Sequence, residues 1–166
     1  MEKVTFKGNV CHTCGVFPAF GDYAPAFHLT GKHLSDIYSR DFEGKRIVLN
    51  IFPSLDTDVC ARSVRRFNKE ASKMANTQVI CVSMDLPFAM ERFCSTEGIN
   101  RLITASAFRS PLFGQEYGVR ICDGPLAGLL ARAVVIIDKD QRVIYSQLVK
   151  EISHEPDYDE ALVILS

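Results

Sequence analysis

The chain has 166 residues and a mass of 18.5 kDa, 47% hydrophobic and 23% charged, which supplies apolar mass for one sizeable core and excludes a disordered chain. Nineteen Lys and Arg stand against 20 Asp and Glu, for a net charge of −1 without a block of like charge, so no nucleic-acid partner and no anionic membrane surface is indicated. The length fits one domain over residues 1–166. The first ten residues lack an apolar export signal, and the most apolar window, Leu126 to Ile137, is broken by Arg132 short of the roughly 20 residues a bilayer span needs, so the expected compartment is the cytoplasm.

Val4-Thr5-Phe6 ahead of Gly8-Asn9 predicts a short strand or hairpin at the start, and Ala26 to Thr30 repeats the alternation before Gly31. Lys45 to Phe52 is a nearly continuous apolar run, the pattern of a strand buried on both faces, and Pro53 ends it. From Asp58, Val64, Phe67, Ala71 and Met74 recur at three- and four-residue spacing, which predicts an amphipathic helix through about Ala75 with Asp56 or Thr57 as its N-cap. Gln78 to Ser83 is a second buried strand, and Pro87 opens a helix that Gly98 stops. Ala133 to Ile137 and Arg142 to Ser146 flank Asp138 to Gln141 as an antiparallel hairpin, and Tyr158 to Leu165 is read as a terminal helix. The result is an α/β domain with a central mixed sheet.

Six cysteines in a reducing compartment divide between inert core and chemistry. Cys60 falls in the first turn of a helix, where unpaired backbone N–H groups and the helix dipole favour a thiolate, the nucleophilic form of the side chain. Thr57 supplies a hydroxyl three residues earlier that can cap the helix or hydrogen-bond to the sulfur or a bound oxygen, and Pro53 fixes the turn and shields the pocket. Cys81, inside Val79 to Val82, reads as core, and Cys122 as a small loop residue. Cys11-His12-Thr13-Cys14 is a C-x-x-C pair with neither the preceding buried strand of a thioredoxin-type site nor a second pair for zinc. It stays open as an accessory redox dithiol, a partial metal site or an incidental placement.

The Pro53-x-x-x-Thr57-x-x-Cys60 pattern at a strand-to-helix junction resembles the active-site signature of peroxiredoxins. Val48 to Cys60, Ser63 to Asn68, Asp85 to Ala89 with Arg92-Phe93-Cys94, Asp123 to Ala133 and Glu155 to Tyr158 together resemble the bacterial thiol peroxidases, nearly throughout the chain after about Ala26. That resemblance implies a thioredoxin-like fold with an N-terminal β-hairpin and a homodimer, working without metal, haem or flavin. It implies Cys60 as the peroxidatic cysteine that takes an oxygen from a hydroperoxide, with Thr57 and Arg132 orienting the peroxide. It further implies Cys94 as the resolving cysteine, closing an intrachain disulfide that thioredoxin or a similar dithiol reopens. Phe27, Phe93 and Leu126 to Leu130 are expected to line an apolar approach. Two other readings compete: a thiol–disulfide oxidoreductase centred on Cys11 and Cys14, and a redox-sensing interaction protein.

Overall fold

Two short strands open the chain, β1 (Lys3–Phe6) and β2 (Asn9–Cys14), paired antiparallel with Phe6 opposite Asn9. The computed structural model describes residues 1–166. Next come β3 (His28–Thr30), β4 (Asp36–Tyr38) and β5 (Arg46–Ile51), then α1 (Asp58–Ala71), β6 (Thr77–Ser83), α2 (Pro87–Glu97) and β7 (Ile103–Ser106). The chain finishes with α3 (Pro111–Glu116), β8 (Arg120–Ile121), β9 (Ala133–Ile137), β10 (Val143–Leu148) and α4 (Tyr158–Leu165). Seven strands form one mixed sheet in the order β10-β9-β5-β6-β7-β3-β4, with β5, β6 and β7 parallel and the other pairings antiparallel. No helix is long and apolar enough to cross a membrane.

Strand alternation divides the core into two layers. Ile47, Leu49 and Ile51 of β5 face a cluster with Ala133 and Val135 of β9, Phe113 of α3 and Val4 and Cys11 of the hairpin. Val48 and Phe52 face the other way, onto Val64 and Phe67 of α1, Met90 of α2, and Ala161 and Leu165 of α4. Three helices therefore cover one face of the sheet, while α3 and the β1–β2 hairpin cover the opposite one. The polar Arg62, Arg65, Arg66 and Lys69 lie mostly off the buried stripe of α1, as its period requires.

Several expected boundaries shift for local reasons. Helix α1 ends at Ala71 rather than Ala75, because its last turn tightens into three-residue bonds, Lys73 N–H to the Glu70 carbonyl and Met74 N–H to that of Ala71, before a left-handed Asn76. Gly98 stops α2 as expected, in the left-handed conformation at φ 67°. β4, β7, β8 and α3 were not expected, and each is too short for its pattern to stand out: β8 has two residues and α3 six.

The hairpin is bound to the segment after β10 by main-chain bonds, Thr5 N–H to the Lys150 carbonyl at 2.7 Å and Ile152 N–H to the Thr5 carbonyl at 2.8 Å. The Glu151 carboxylate reinforces this seam. It accepts from the Ser153 hydroxyl and N–H and from Gly8 and Lys7 N–H in the hairpin turn, and these donors, Ser153 first, hold its pKa down to about 2. A carboxylate whose folded-state value is depressed contributes stability above its ordinary value of 4.5 and loses it as pH falls through the folded value. Glu151→Gln is therefore expected to lower the unfolding midpoint at pH 7, and the gap from the parent protein should close between pH 4.5 and about 2. Denaturant melts across that range measure it, and a gap that stays constant to pH 2 would refute the assignment.

Candidate active site

Pro53, buried, closes β5, and the loop that follows turns into α1 through Thr57, which sits at the N-cap position with extended backbone (φ −108°, ψ 143°). Its hydroxyl does not cap the helix or reach the sulfur, as had been expected. It donates instead to the Ser54 carbonyl at 3.0 Å, tightening the loop. The loop is also held from β6. Asp85 accepts from the Ser54 hydroxyl and Leu55 N–H, each at 2.8 Å, and from Ser83 at 2.6 Å, so a single carboxylate fixes the approach to the helix. The sequence pattern around Asp85 gives no sign of this role, because it depends on a contact 30 residues away.

Cys60 is the third residue of α1 and is fully buried. Its carbonyl accepts from Ser63 Oγ at 2.8 Å, and Ser63 in turn accepts from Asn50 Nδ2 at 3.1 Å, so strand β5 anchors the first helical turn from below. The sulfur itself receives Arg132 Nη2 at 3.3 Å, across 72 residues of chain. Register explains the meeting: Ile51 pairs with Ala133, so Arg132, one residue before β9, comes level with the end of β5, where the chain turns up into α1. Alternation then points Arg132 to the same face as Val134 and Ile136, the face that α1 covers.

Arg132 is 2% exposed, not a surface side chain. Its Nε donates to the Ile152 carbonyl at 2.8 Å, its own carbonyl accepts from Val149 N–H at 2.9 Å, and no carboxylate stands within ion-pair distance. A buried, permanently charged guanidinium needs a compensating anion, and Cys60 Sγ is the atom placed to be one. Nη1 of the same guanidinium has no hydrogen-bond partner. The site thus offers a sulfur, a charge beside it and an unspent planar donor next to both.

Cys94 lies on α2 over the same face, half-buried, and lines a groove of about 710 Å³ with Lys32, Met90, Ile99 and Thr104. Burial pushes its thiol up, with Thr104 and Lys32 opposing. Both Cys60 and Cys94 are free thiols in this structure. Cys81 is entirely buried in β6, beside Asn50, and its thiol is pushed up to about 12 by desolvation, consistent with inert core. Phe27 does not line an approach to Cys60: it packs edge-on against Phe113 in the layer across the sheet. Phe93 borders a hollow with Leu55 and Arg92 beside the loop before α1.

The remaining cysteines correct two expectations. Cys11 and Cys14 do not form a pair, because three residues along a strand point side chains to opposite faces. Cys11 faces the core, where burial raises its thiol, while Cys14 is disulfide-bonded to Cys122, with their Cα atoms 5.9 Å apart. The oxidoreductase reading centred on Cys11 and Cys14 therefore loses its dithiol. Cys122 is not a bystander in a loop. The signal that could have found it is the pairing of β2 with β8, which two residues of strand do not announce in sequence.

A thioredoxin-like scaffold that buries a helix-initiating cysteine against an arginine defines a peroxiredoxin type of enzyme, and comparison with known proteins agrees. The family model described as Redoxin matches residues 19–162. The chain is 51% identical to a thiol peroxidase of Corynebacterium glutamicum over all of both chains, and 54% identical to a thiol peroxidase of Mycobacterium bovis over 99% of each. A solved peroxiredoxin-like protein from Aquifex aeolicus superposes with a TM-score of 0.93 at 40% identity, covering 99% of this chain and 96% of that one. The chain belongs to the Redoxin family and, within it, to the thiol peroxidases.

Proposed function

We propose that Cys60 is the peroxidatic cysteine of this thiol peroxidase and Cys94 its resolving partner. The observation that carries the reading is the Arg132 guanidinium, which spends Nη2 on Cys60 Sγ and keeps the buried Nη1 free. Nη1 is the donor for a peroxide oxygen, and the charge that develops on the departing oxygen stays beside a cation throughout the displacement. Thr57, whose proton is committed to Ser54, keeps its oxygen lone pairs to accept from the hydroperoxide O–H. Pro53, buried at the end of β5, is the residue assigned to shield the pocket.

The Cys60 thiolate attacks the terminal peroxide oxygen, the O–O bond breaks, the O–H stays on sulfur as the sulfenic acid, and the departing alkoxide or hydroxide takes a proton from solvent and leaves as alcohol or water. The Cys94 sulfur then displaces hydroxide from that sulfenic acid, water leaves, and the two sulfurs are joined. Cys60 is wholly enclosed, so Cys94 reaches its sulfur through local unwinding at the start of α1 or along α2. A thioredoxin-type dithiol reopens the bond. The chain works as one thioredoxin-like domain over residues 1–166, in the cytoplasm, as a homodimer.

The test is peptide mapping under non-reducing conditions after one equivalent of cumene hydroperoxide is added to protein whose accessible thiols are reduced. The expected product is a stoichiometric Cys60–Cys94 bond within one chain. Cys60 recovered as a free thiol while the peroxide is consumed would end this reading.

A further inference from the structure

The Cys14–Cys122 pair lies across the sheet from Cys60, and nothing in the peroxidase cycle uses it. Three features mark it as built for reversible chemistry. β2 and β8 are aligned by their own pairing, Thr13 with Ile121 and Cys14 with Arg120, and Cys122 N–H donates to the His12 carbonyl at 2.8 Å. Asp123 closes the arrangement, accepting from His12 N–H and contacting His12 Nδ1, both at 2.7 Å. The two sulfurs thus stay neighbours whether or not they are bonded, which is what a reversible dithiol requires. Cys122 is exposed and Cys14 half-buried, so a small reagent reaches the pair without unfolding. Neither sulfur receives a guanidinium as Cys60 does, so the pair suits disulfide exchange rather than peroxide cleavage.

We propose that Cys14 and Cys122 form a second redox-active site, a dithiol–disulfide couple that exchanges with low-molecular-weight disulfides and thiols and clips the N-terminal hairpin to the loop leading into Arg132. In the oxidising direction the Cys122 thiolate attacks one sulfur of a small disulfide and displaces one thiolate. Cys14 then attacks Cys122 Sγ in the mixed disulfide and displaces the second. The two cysteine sulfurs each lose one electron, and the small disulfide, gaining two electrons and two protons, leaves as two thiols. The closed clip spans 108 residues of sequence and ties down a hairpin that also holds Ile152, the residue whose carbonyl supports Arg132.

The experiment uses Cys60→Ser/Cys94→Ser protein equilibrated over a series of oxidised-to-reduced glutathione ratios, then alkylated and mapped cysteine by cysteine. Cys14 and Cys122 should pass together between alkylated and linked forms, reversibly and without denaturant, with the linked form melting about 5–10 °C higher. Cys122→Ser should abolish that shift. If either variant fails to fold, the same mapping in the parent protein reads the pair, because Cys122 lies in a tryptic peptide of its own and Cys11 and Cys14, which share one, are told apart by fragmentation. Thiols that stay alkylated at every ratio, or a bond that opens only in denaturant, overturn the proposal. Because the variant lacks both proposed peroxidase cysteines, failure of the Cys60–Cys94 reading leaves this result intact.

Discussion

Replacing Cys60 by serine is expected to reduce peroxide turnover by about 10³-fold or more, to the background of peroxide with the reductant alone. The loss is this large because the oxygen of serine, even beside a guanidinium, is a far poorer nucleophile toward an O–O bond than a sulfur anion, and no other sulfur in the molecule shares the setting. Cys81 is sealed and pushed up to about 12, Cys11 is buried in the opposite layer, and Cys94 has no arginine on it. The Cys94→Ser protein is expected to separate the two halves of the proposed cycle, still consuming one equivalent of peroxide rapidly but no longer recycled by a thioredoxin-type dithiol. A coupled assay with a single-turnover control reads both, and sustained turnover by the Cys60→Ser protein would be fatal to the assignment.

The second large effect belongs to Arg132. Arg132→Met is expected to slow oxidation of Cys60 by about 10²–10³-fold, the cost of losing a preorganised donor to developing charge. Arg132→Lys keeps the charge but not the planar fork, so it should recover only part of the loss, since one ammonium cannot serve Cys60 Sγ, the Ile152 carbonyl and a peroxide oxygen from the guanidinium's three nitrogens. Removal also leaves the Ile152 carbonyl without its donor, so stability falls as well, and circular dichroism must show a folded variant before the rates are compared. A folded Arg132→Met protein within twofold of the parent would remove arginine from the reaction.

Much of this molecule was legible where pattern is local. The buried runs at Arg46–Ile51 and Thr77–Ser83 and the helices beginning at Asp58, Pro87 and Tyr158 lie within a residue or two of expectation, because apolar periodicity and the proline and glycine stops act over a few residues. The Cys60 site was legible for a different reason: its motif resembles a family, and that resemblance brought in Arg132 from 72 residues away. What escaped was set by long-range pairing. Asp85 gripping the loop before α1, the spent proton of Thr57 and the union of Cys14 with Cys122 each depend on which strands become neighbours, and a four-residue β7 or two-residue β8 carries too little pattern to say so.

The seven-stranded sheet has one more effect, on the fidelity of oxidation. Cys60, Cys81 and Cys94 belong to the helical side, and Cys11, Cys14 and Cys122 to the hairpin side, so the backbone ladder is a partition between two sulfur populations. Six thiols in a freely mixing chain could pair in many combinations, most of them dead ends. Here a wrong partner across the divide would require a whole strand to leave the sheet. On each side one cysteine has its thiol raised by burial, Cys81 on one and Cys11 on the other. Separation of the two sulfur populations is thus accomplished by architecture, and it lasts as long as the sheet stays closed.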